Sequence, residues 1–132
     1  MILMHIRSER KSIRQLLSET KRIIESPDFN IDTDYILIKS KKEDPAYSTP
    51  TTMLDLEFDD EDVLSIIKSL ELENYSHTLI DCDNDEPPYL FVFGKVIQGK
   101  PVYIKYKIRE ERRIIICVSF HYPKVTMEFP YK

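Results

Sequence analysis

Hydrophobic residues follow a helical period in the first half of the chain and a strand period in the second half. Over residues 8–25 apolar side chains recur every three or four positions, which predicts an amphipathic helix with Ser8 as its cap. The same spacing predicts a second helix over 59–70, where acidic residues occupy the first turn that the helix dipole favours. A short apolar run over 34–39 predicts a strand between the two helices.

Alternating residues over 89–121 predict a β-meander of three antiparallel strands. The strands are expected at 89–97, 101–108 and 114–121. A tight turn at Gln98-Gly99 joins the first two, and a five-residue loop joins the last two. The pattern therefore predicts an α+β single domain over 1–132, in which N-terminal helices pack on a small antiparallel sheet.

The predicted turns fix which residues lie opposite each other. The first turn pairs Phe93 with Ile104. The five-residue loop pairs Ile108 with Ile114, which brings Lys105 opposite Cys117 and Tyr103 opposite Ser119. In this register the apolar face of the last strand carries Ile114, Ile116, Val118 and Phe120. Its other face carries Ile115, Cys117, Ser119 and His121.

The remaining segments have weaker patterns. Residues 40–50 are polar with two prolines and predict a loop whose role is not apparent. Residues 71–80 are expected to connect the second helix to the sheet. Residues 81–88 form an acidic loop, which lacks the spacing and the glycine of an EF-hand. His5 lies in a stretch that is expected to be flexible and receives no role.

Charge is unevenly distributed, although the net charge is only −4. Residues 43–86 hold one Lys and fourteen Asp or Glu, whereas 87–132 hold nine Lys or Arg and three Asp or Glu. A basic sheet segment favours a polyanionic ligand. Mutual neutralisation of the acidic and basic segments within the fold explains the same distribution without a ligand.

Composition excludes several other classes. Two glycines argue against glycine-rich phosphate loops, and no Cys/His cluster has zinc spacing, so neither a metal nor another cofactor is expected. Cys82 and Cys117 are expected to be free thiols in a reducing compartment. No apolar run is long enough to span a membrane and no signal-peptide core is present, which predicts a cytoplasmic protein.

The meander carries residues suited to RNA cleavage. His121 titrates near neutral pH and can act as a general acid or base. Lys105 can neutralise a phosphate, and Tyr103 can stack on a base. His77 is a further candidate at the joint between helix and sheet. The basic residues expected to bind RNA are Lys95, Lys107, Arg109, Arg112 and Arg113. A solvated histidine at a strand end and an ordinary alternation of Lys and Tyr on a sheet are the non-functional alternatives.

The stretch from Leu54 to Lys132 resembles the MqsR family of bacterial toxins. The segments that carry the resemblance are Met53-Leu54-Asp55-Leu56, Asp62-Val63-Leu64, Asn74-Tyr75-Ser76, Phe93-Gly94-Lys95, Val102-Tyr103-Ile104-Lys105, Cys117-Val118-Ser119-Phe120-His121 and Phe129-Pro130-Tyr131-Lys132. The resemblance implies a RelE-like fold and an mRNA endonuclease that needs neither ribosome nor metal and is restrained by an antitoxin protein encoded nearby.

The resemblance also implies site residues. Tyr103 falls on an active-site tyrosine of the family, whereas His121 stands where the family has a lysine. Ser76 or His77 falls near a second active-site lysine, and the family's glutamine has no counterpart, since Phe91 lies near its position. Two alternatives to an mRNA-cleaving toxin stay open. One is a RelE-like module that binds a protein or nucleic acid without cutting, and the other is an interaction domain that uses the acidic segment 43–86.

Overall fold

A computed structural model of the chain describes residues 3–40, 44–81, 88–109 and 113–132. Within them, four α-helices and six strands form an α+β fold, as predicted. The helices are α1 (Arg10–Glu25), α2 (Ile31–Asp34), α3 (Thr49–Leu56) and α4 (Asp60–Ser69). The strands are β1 (Leu3–Ile6), β2 (Tyr35–Leu37), β3 (Tyr75–Asp81), β4 (Leu90–Ile97), β5 (Lys100–Arg109) and β6 (Ile114–His121).

The six strands form one sheet in the order β1-β3-β4-β5-β6-β2. The predicted meander β4-β5-β6 is its centre, with β3 and β1 added on one side and β2 on the other. All neighbouring strands are antiparallel except β2, which runs parallel to β6. The sheet is therefore mixed and larger than the small antiparallel sheet that the sequence predicted.

Both predicted long helices are confirmed. The chain leaves α1 at Ser26, before Pro27. Its N-cap residue is Glu9 rather than the predicted Ser8, whose hydroxyl lies 2.7 Å from the hydroxyl of Thr78. At α4, Asp59 forms a capping box with Asp62, so these acidic side chains serve as a helix start.

The predicted loop over 40–50 is wrong at its end, because α3 begins at Thr49. Ser48 caps the helix by accepting a hydrogen bond from the amide of Thr51, and Pro50 lies in the first turn, where its missing N–H costs nothing. The helix ends at Leu56, and the C-cap residue Glu57 has a φ of 59°. Residues 41–43 of the predicted loop lie outside the described residues.

Strands β1 and β3 were not predicted. Strand β3 takes residues 75–80 of the predicted connection and Asp81 of the predicted acidic loop. Strand β1 pairs with it from Leu3 opposite Asp81 to Ile6 opposite Thr78. The stretch around His5 is thus an edge strand rather than a flexible end. The pairing places the first strand of the chain beside a strand some seventy residues later.

The register between β4 and β5 is as predicted, with Phe93 opposite Ile104. The register between β5 and β6 was predicted wrongly. Ile108 lies opposite Ile115, and after a bulge Lys105 lies opposite Ser119 and Tyr103 opposite His121. The partner of β5 moves from Cys117 to Ser119 within one residue, which leaves Val118 as the extra residue of the bulge.

The bulge exchanges the faces of β6 midway along the strand. Before it, Ile115 and Cys117 belong to the core beneath the helices, contrary to the predicted apolar set. After it, Phe120 continues that core, and Ser119 and His121 lie on the other face as predicted. One extra residue shifts the alternation by one position, so Cys117 and Phe120 both face the helices although they are three positions apart.

The hydrophobic core lies between the helices and one face of the sheet. Its fully buried side chains include Ile13 of α1, Val63 and Ile67 of α4, and Phe93, Val102, Ile104, Tyr106 and Phe120 of the meander. We call the opposite face of the sheet the cleft face. By alternation along β5, Tyr103, Lys105 and Lys107 lie on the cleft face.

Residues 123–132, which we call the C-terminal strap, cross the cleft face over Gly94. A Cβ atom on Gly94 would lie 2.7 Å from Cζ of Phe129 and 2.9 Å from Sδ of Met127. At the far end, the hydroxyl of Tyr131 donates a 2.6 Å hydrogen bond to the carbonyl oxygen of Ser8. The strap therefore connects the end of β6 to the start of α1.

Among the helices that the structure describes, none has the length and apolar character needed to cross a membrane.

Candidate active site on the cleft face

The cleft face and the strap enclose a cleft of about 550 Å³. Tyr103 and Ser76 line it together with His5, His77 and His121, which are the three histidines of the chain. These side chains come from β1, β3, β5 and β6, which span most of the sheet. Four strands thus direct titratable and hydroxyl groups into one space.

Tyr103 and His121 form one side of the cleft. They are directly opposite each other in the β5–β6 pairing, and their rings stack with centroids 5.1 Å apart and an interplanar angle of 14°. Nδ1 of His121 lies 2.9 Å from the carbonyl oxygen of Tyr122. Because a carbonyl only accepts, Nδ1 carries the proton in this bond. In the neutral ring the lone pair is then on Nε2, the nitrogen that can exchange a proton with a ligand.

His5 and His77 form the other side of the cleft. Their rings are nearly parallel, with centroids 4.4 Å apart and an interplanar angle of 6°. The Oγ atom of Ser76 lies 2.9 Å from Nδ1 of His77. When that nitrogen donates to the hydroxyl oxygen, the lone pair of His77 is on Nε2. Since the hydroxyl can also donate to Nδ1, the contact orients the His77 ring without fixing which nitrogen carries the proton.

Burial is the largest influence on the two central titratable groups. It lowers the pKa of His77 below its usual 6.5, and the charges of His5 and Lys105 lower it further. Burial also raises the pKa of Tyr103 above 10.0. At neutral pH, His77 is accordingly an uncharged ring and Tyr103 an uncharged phenol that can donate a hydrogen bond.

Lys105 lies in the row of the sheet next to the Tyr103–His121 pair. It is opposite Val92 on one side and Ser119 on the other, and Val92 in turn is opposite His77. Arg7 and Lys124 also line the cleft, and among the described residues that line it Glu128 supplies the one carboxylate. The charged side chains around the cleft are predominantly cationic, which suits a phosphate-bearing ligand.

The structure brings the four predicted catalytic residues to the cleft face, but it disperses the predicted RNA-binding residues. Lys107 and Arg109 continue the cleft face along β5, beyond Lys105. The ammonium of Lys95 instead donates a 2.7 Å hydrogen bond to Ser69 of α4, and Arg113 forms an ion pair with Glu19 of α1. Arg112 lies outside the described residues.

Sequence reasoning missed His5 and Arg7. The one available signal was the alternation in Leu3-Met4-His5-Ile6, which is too short to distinguish a strand from an irregular end. Their place in the cleft depends on the pairing of β1 with β3, a contact that no local pattern encodes.

Among the described residues, neither Cys117 nor a group of metal ligands is part of the cleft. Cys117 is a free thiol, as predicted, but it is fully buried in the core, and burial raises its pKa to about 12. Cys82, the other predicted free thiol, lies outside the described residues, as do residues 82–87 of the predicted acidic loop. Over the described ranges no three His, Cys, Asp or Glu side chains are grouped so that they could hold a metal ion.

Comparison with known proteins identifies no relative: no family model, curated protein or solved structure matches the chain. The chemistry of the cleft therefore has to be inferred from its own residues.

Proposed function

We propose that the chain is an RNA endonuclease that cuts by attack of the ribose 2′-hydroxyl on the adjacent phosphate, and that it acts as an MqsR-like toxin of a bacterial toxin–antitoxin pair. The observation that carries the proposal is the convergence of His77, His121 and Tyr103 in one cleft. The sequence resemblance, which includes Tyr103 and the residues that end at His121, supports the same activity.

The proposed reaction needs two proton transfers and one site of positive charge. A base removes the proton of the 2′-hydroxyl while its oxygen bonds to phosphorus. An acid protonates the departing 5′-oxygen as the P–O bond breaks, giving a 2′,3′-cyclic phosphate and a 5′-hydroxyl. His77 and His121 supply the two transfers. Lys105 and Arg7 offset the negative charge that develops on the phosphate oxygens.

Tyr103 positions the RNA in this proposal. Its ring is stacked on His121 and half-buried, so it is held in a fixed orientation. An unpaired base can stack on such a surface, and the uncharged phenol can donate a hydrogen bond to a phosphate oxygen. His77 and His121 come from strands separated by β4 and β5, so a nucleotide bound between them has one histidine on either side.

A purified-protein assay tests the activity directly. Incubation of single-stranded RNA with the protein in EDTA should yield fragments that end in 2′,3′-cyclic phosphate, and His121→Ala should lower the rate by about 10²–10⁴-fold. Tyr122→Phe is the matched control, because it keeps the carbonyl that binds His121. Equal cutting by the wild-type and His121→Ala proteins would refute the role of His121.

The toxin role is tested in cells. Induced expression in a bacterium should arrest growth and degrade mRNA, and co-expression of an adjacent gene should relieve the arrest if that gene encodes the proposed antitoxin. Growth that continues while intact protein accumulates would count against a toxin.

A second candidate is a module that binds single-stranded nucleic acid without cutting it. The two stacked ring pairs, His5–His77 and Tyr103–His121, favour it, because aromatic stacking alone holds unpaired bases. This candidate gains if the wild-type protein binds RNA, leaves it intact, and loses affinity in the Tyr103→Ala variant.

A further inference from the structure

We propose that His5 is a positioning residue that holds His77 in its unprotonated state, so that His77 acts as the base of the cleft and His121 as the acid. The inference rests on the proposed function for the identity of the reaction. The relationship between His5 and His77 itself is a property of the free protein and can be measured without RNA.

The geometry of the two rings carries the proposal. They face each other at 4.4 Å and within 6° of parallel, so neither ring's nitrogens point at the other ring. Face-to-face rings cannot share a proton through a hydrogen bond, and two imidazolium charges at this distance repel each other. The charge of His5 therefore disfavours a charge on His77.

Exposure also differs between the two rings. His5 lies on the edge strand β1 and is exposed, whereas His77 lies on β3 and is half-buried. Since burial penalises the charged form, the protonated state is disfavoured on His77. His77 then keeps the lone pair that a base requires.

The other charged and titratable groups that line the cleft are mostly cationic or neutral. From β5, the charge of Lys105 disfavours a proton on His77 and Tyr103 is uncharged. His121 on β6, Arg7 after β1 and Lys124 on the strap add no negative charge. The carboxylate of Glu128 on the strap is the one anionic side chain among the described residues that line the cleft.

His121 is suited to the complementary role. Its Nδ1–H bond to the Tyr122 carbonyl is kept when Nε2 becomes protonated, so the charged ring stays in the same orientation. The proton on Nε2 can then pass to the 5′-oxygen that leaves the phosphate. His77 thereby acts as the base and His121 as the acid.

The test is a titration of His77 by NMR of the histidine side chains in the full-length wild-type protein and in His5→Phe, which keeps an aromatic ring at the stack but removes its charge. The His77 pKa should rise in the variant, because the charge of His5 that lowers it is removed. Lys68→Gln is the matched control: it removes a positive charge on α4, which is not part of the cleft, and it should leave the His77 titration unchanged.

The same variant is then followed in RNA cleavage. The acidic limb of the kcat/KM profile should move to higher pH by the same amount, which lowers the rate below the limb. The rate at high pH should be retained. A purely structural role of His5 would instead lower the rate equally at every pH.

The outcomes separate the inference from the proposed function. An unchanged His77 titration in His5→Phe overturns the inference, whether or not the protein cuts RNA. A shifted titration with an unmoved acidic limb overturns the assignment of His77 as base. If the wild-type protein cuts no RNA, the proposed endonuclease fails, and the titration alone decides whether His5 controls His77.

Discussion

Tyr103 and His121 lie directly opposite each other on β5 and β6, and the extra residue Val118 between Cys117 and Ser119 is what brings them together. Without the bulge, the register set at the start of β6 would place Phe120 opposite Tyr103. The strand could then bury Cys117 on the helix face or place His121 opposite Tyr103 on the cleft face, but not both. The candidate site and the core are thus coupled through one residue.

Ser76 should matter to activity through the orientation of the His77 ring. Ser76→Ala removes the hydroxyl that lies 2.9 Å from Nδ1 of His77. The loss of one such hydrogen bond is worth about 1 kcal/mol, so kcat/KM for RNA cleavage should fall about fivefold. Ser69→Ala, on an exposed serine of α4 distant from the cleft, should cleave at the wild-type rate. Equal rates in the two variants would show that Ser76 does not orient His77.

Stability should decrease as the solution becomes acidic, through His77. Its pKa in the folded protein is below the usual 6.5, so the unfolded chain takes up the proton first. The contribution of His77 is therefore intact above pH 6.5 and is lost as the pH falls from there through the folded-state pKa. Urea midpoints at pH 7.5 and pH 5.0 should differ less for His77→Gln than for the wild-type protein. An identical pH dependence in the two proteins would contradict the lowered pKa.

Gly94 should be required for the strap to lie on the sheet. Gly94→Ala introduces a Cβ atom within 3 Å of Phe129 and Met127, so the strap must move, at a cost of about 1–3 kcal/mol. Limited proteolysis should then cut within 123–132 faster than in the wild-type protein. Gly99→Ala is the comparison, because its strain comes from a φ of 78° with no atom within 4 Å. It should destabilise the turn and leave cleavage of the strap unchanged.

Cys117 should resist alkylation while the protein is folded. Burial raises the pKa of the thiol to about 12 and leaves it without solvent exposure, so hardly any thiolate is present or accessible at pH 8. In a Cys82→Ser background, iodoacetamide followed by mass spectrometry should show no label at Cys117 until urea is added. Rapid labelling of the native protein would place the thiol in a more open site.

Local patterns predicted the elements whose information is local. The helices α1 and α4 and the strands of the meander have clear periods, and the short turn at Gln98-Gly99 fixed the β4–β5 register correctly. The helix α3 was hidden by threonines and by Pro50, which is harmless only because it falls in the first turn. Its position depends on the cap at Ser48 rather than on helix propensity.

The candidate site was only half predictable for a related reason. Tyr103, Lys105 and His121 lie on the meander, where alternation identifies one face. His5 lies in the cleft because β1 pairs with β3, which is distant in sequence. Lys95 and Arg113 are held away from the cleft by contacts with Ser69 and Glu19, which a local sequence pattern does not reveal. The β5–β6 register failed because a bulge changes the alternation without changing the composition of the strand.

The hydrogen bond between Tyr131 and the Ser8 carbonyl bears on when the cleft can form during protein synthesis. The cleft takes His5 from the first strand and His121 from the last, and the strap that encloses it is fastened near the start of α1. A chain still being translated lacks one wall of the cleft and its fastening. The cleft can therefore assemble only after residue 131 has left the ribosome, so an emerging chain does not yet have the complete site.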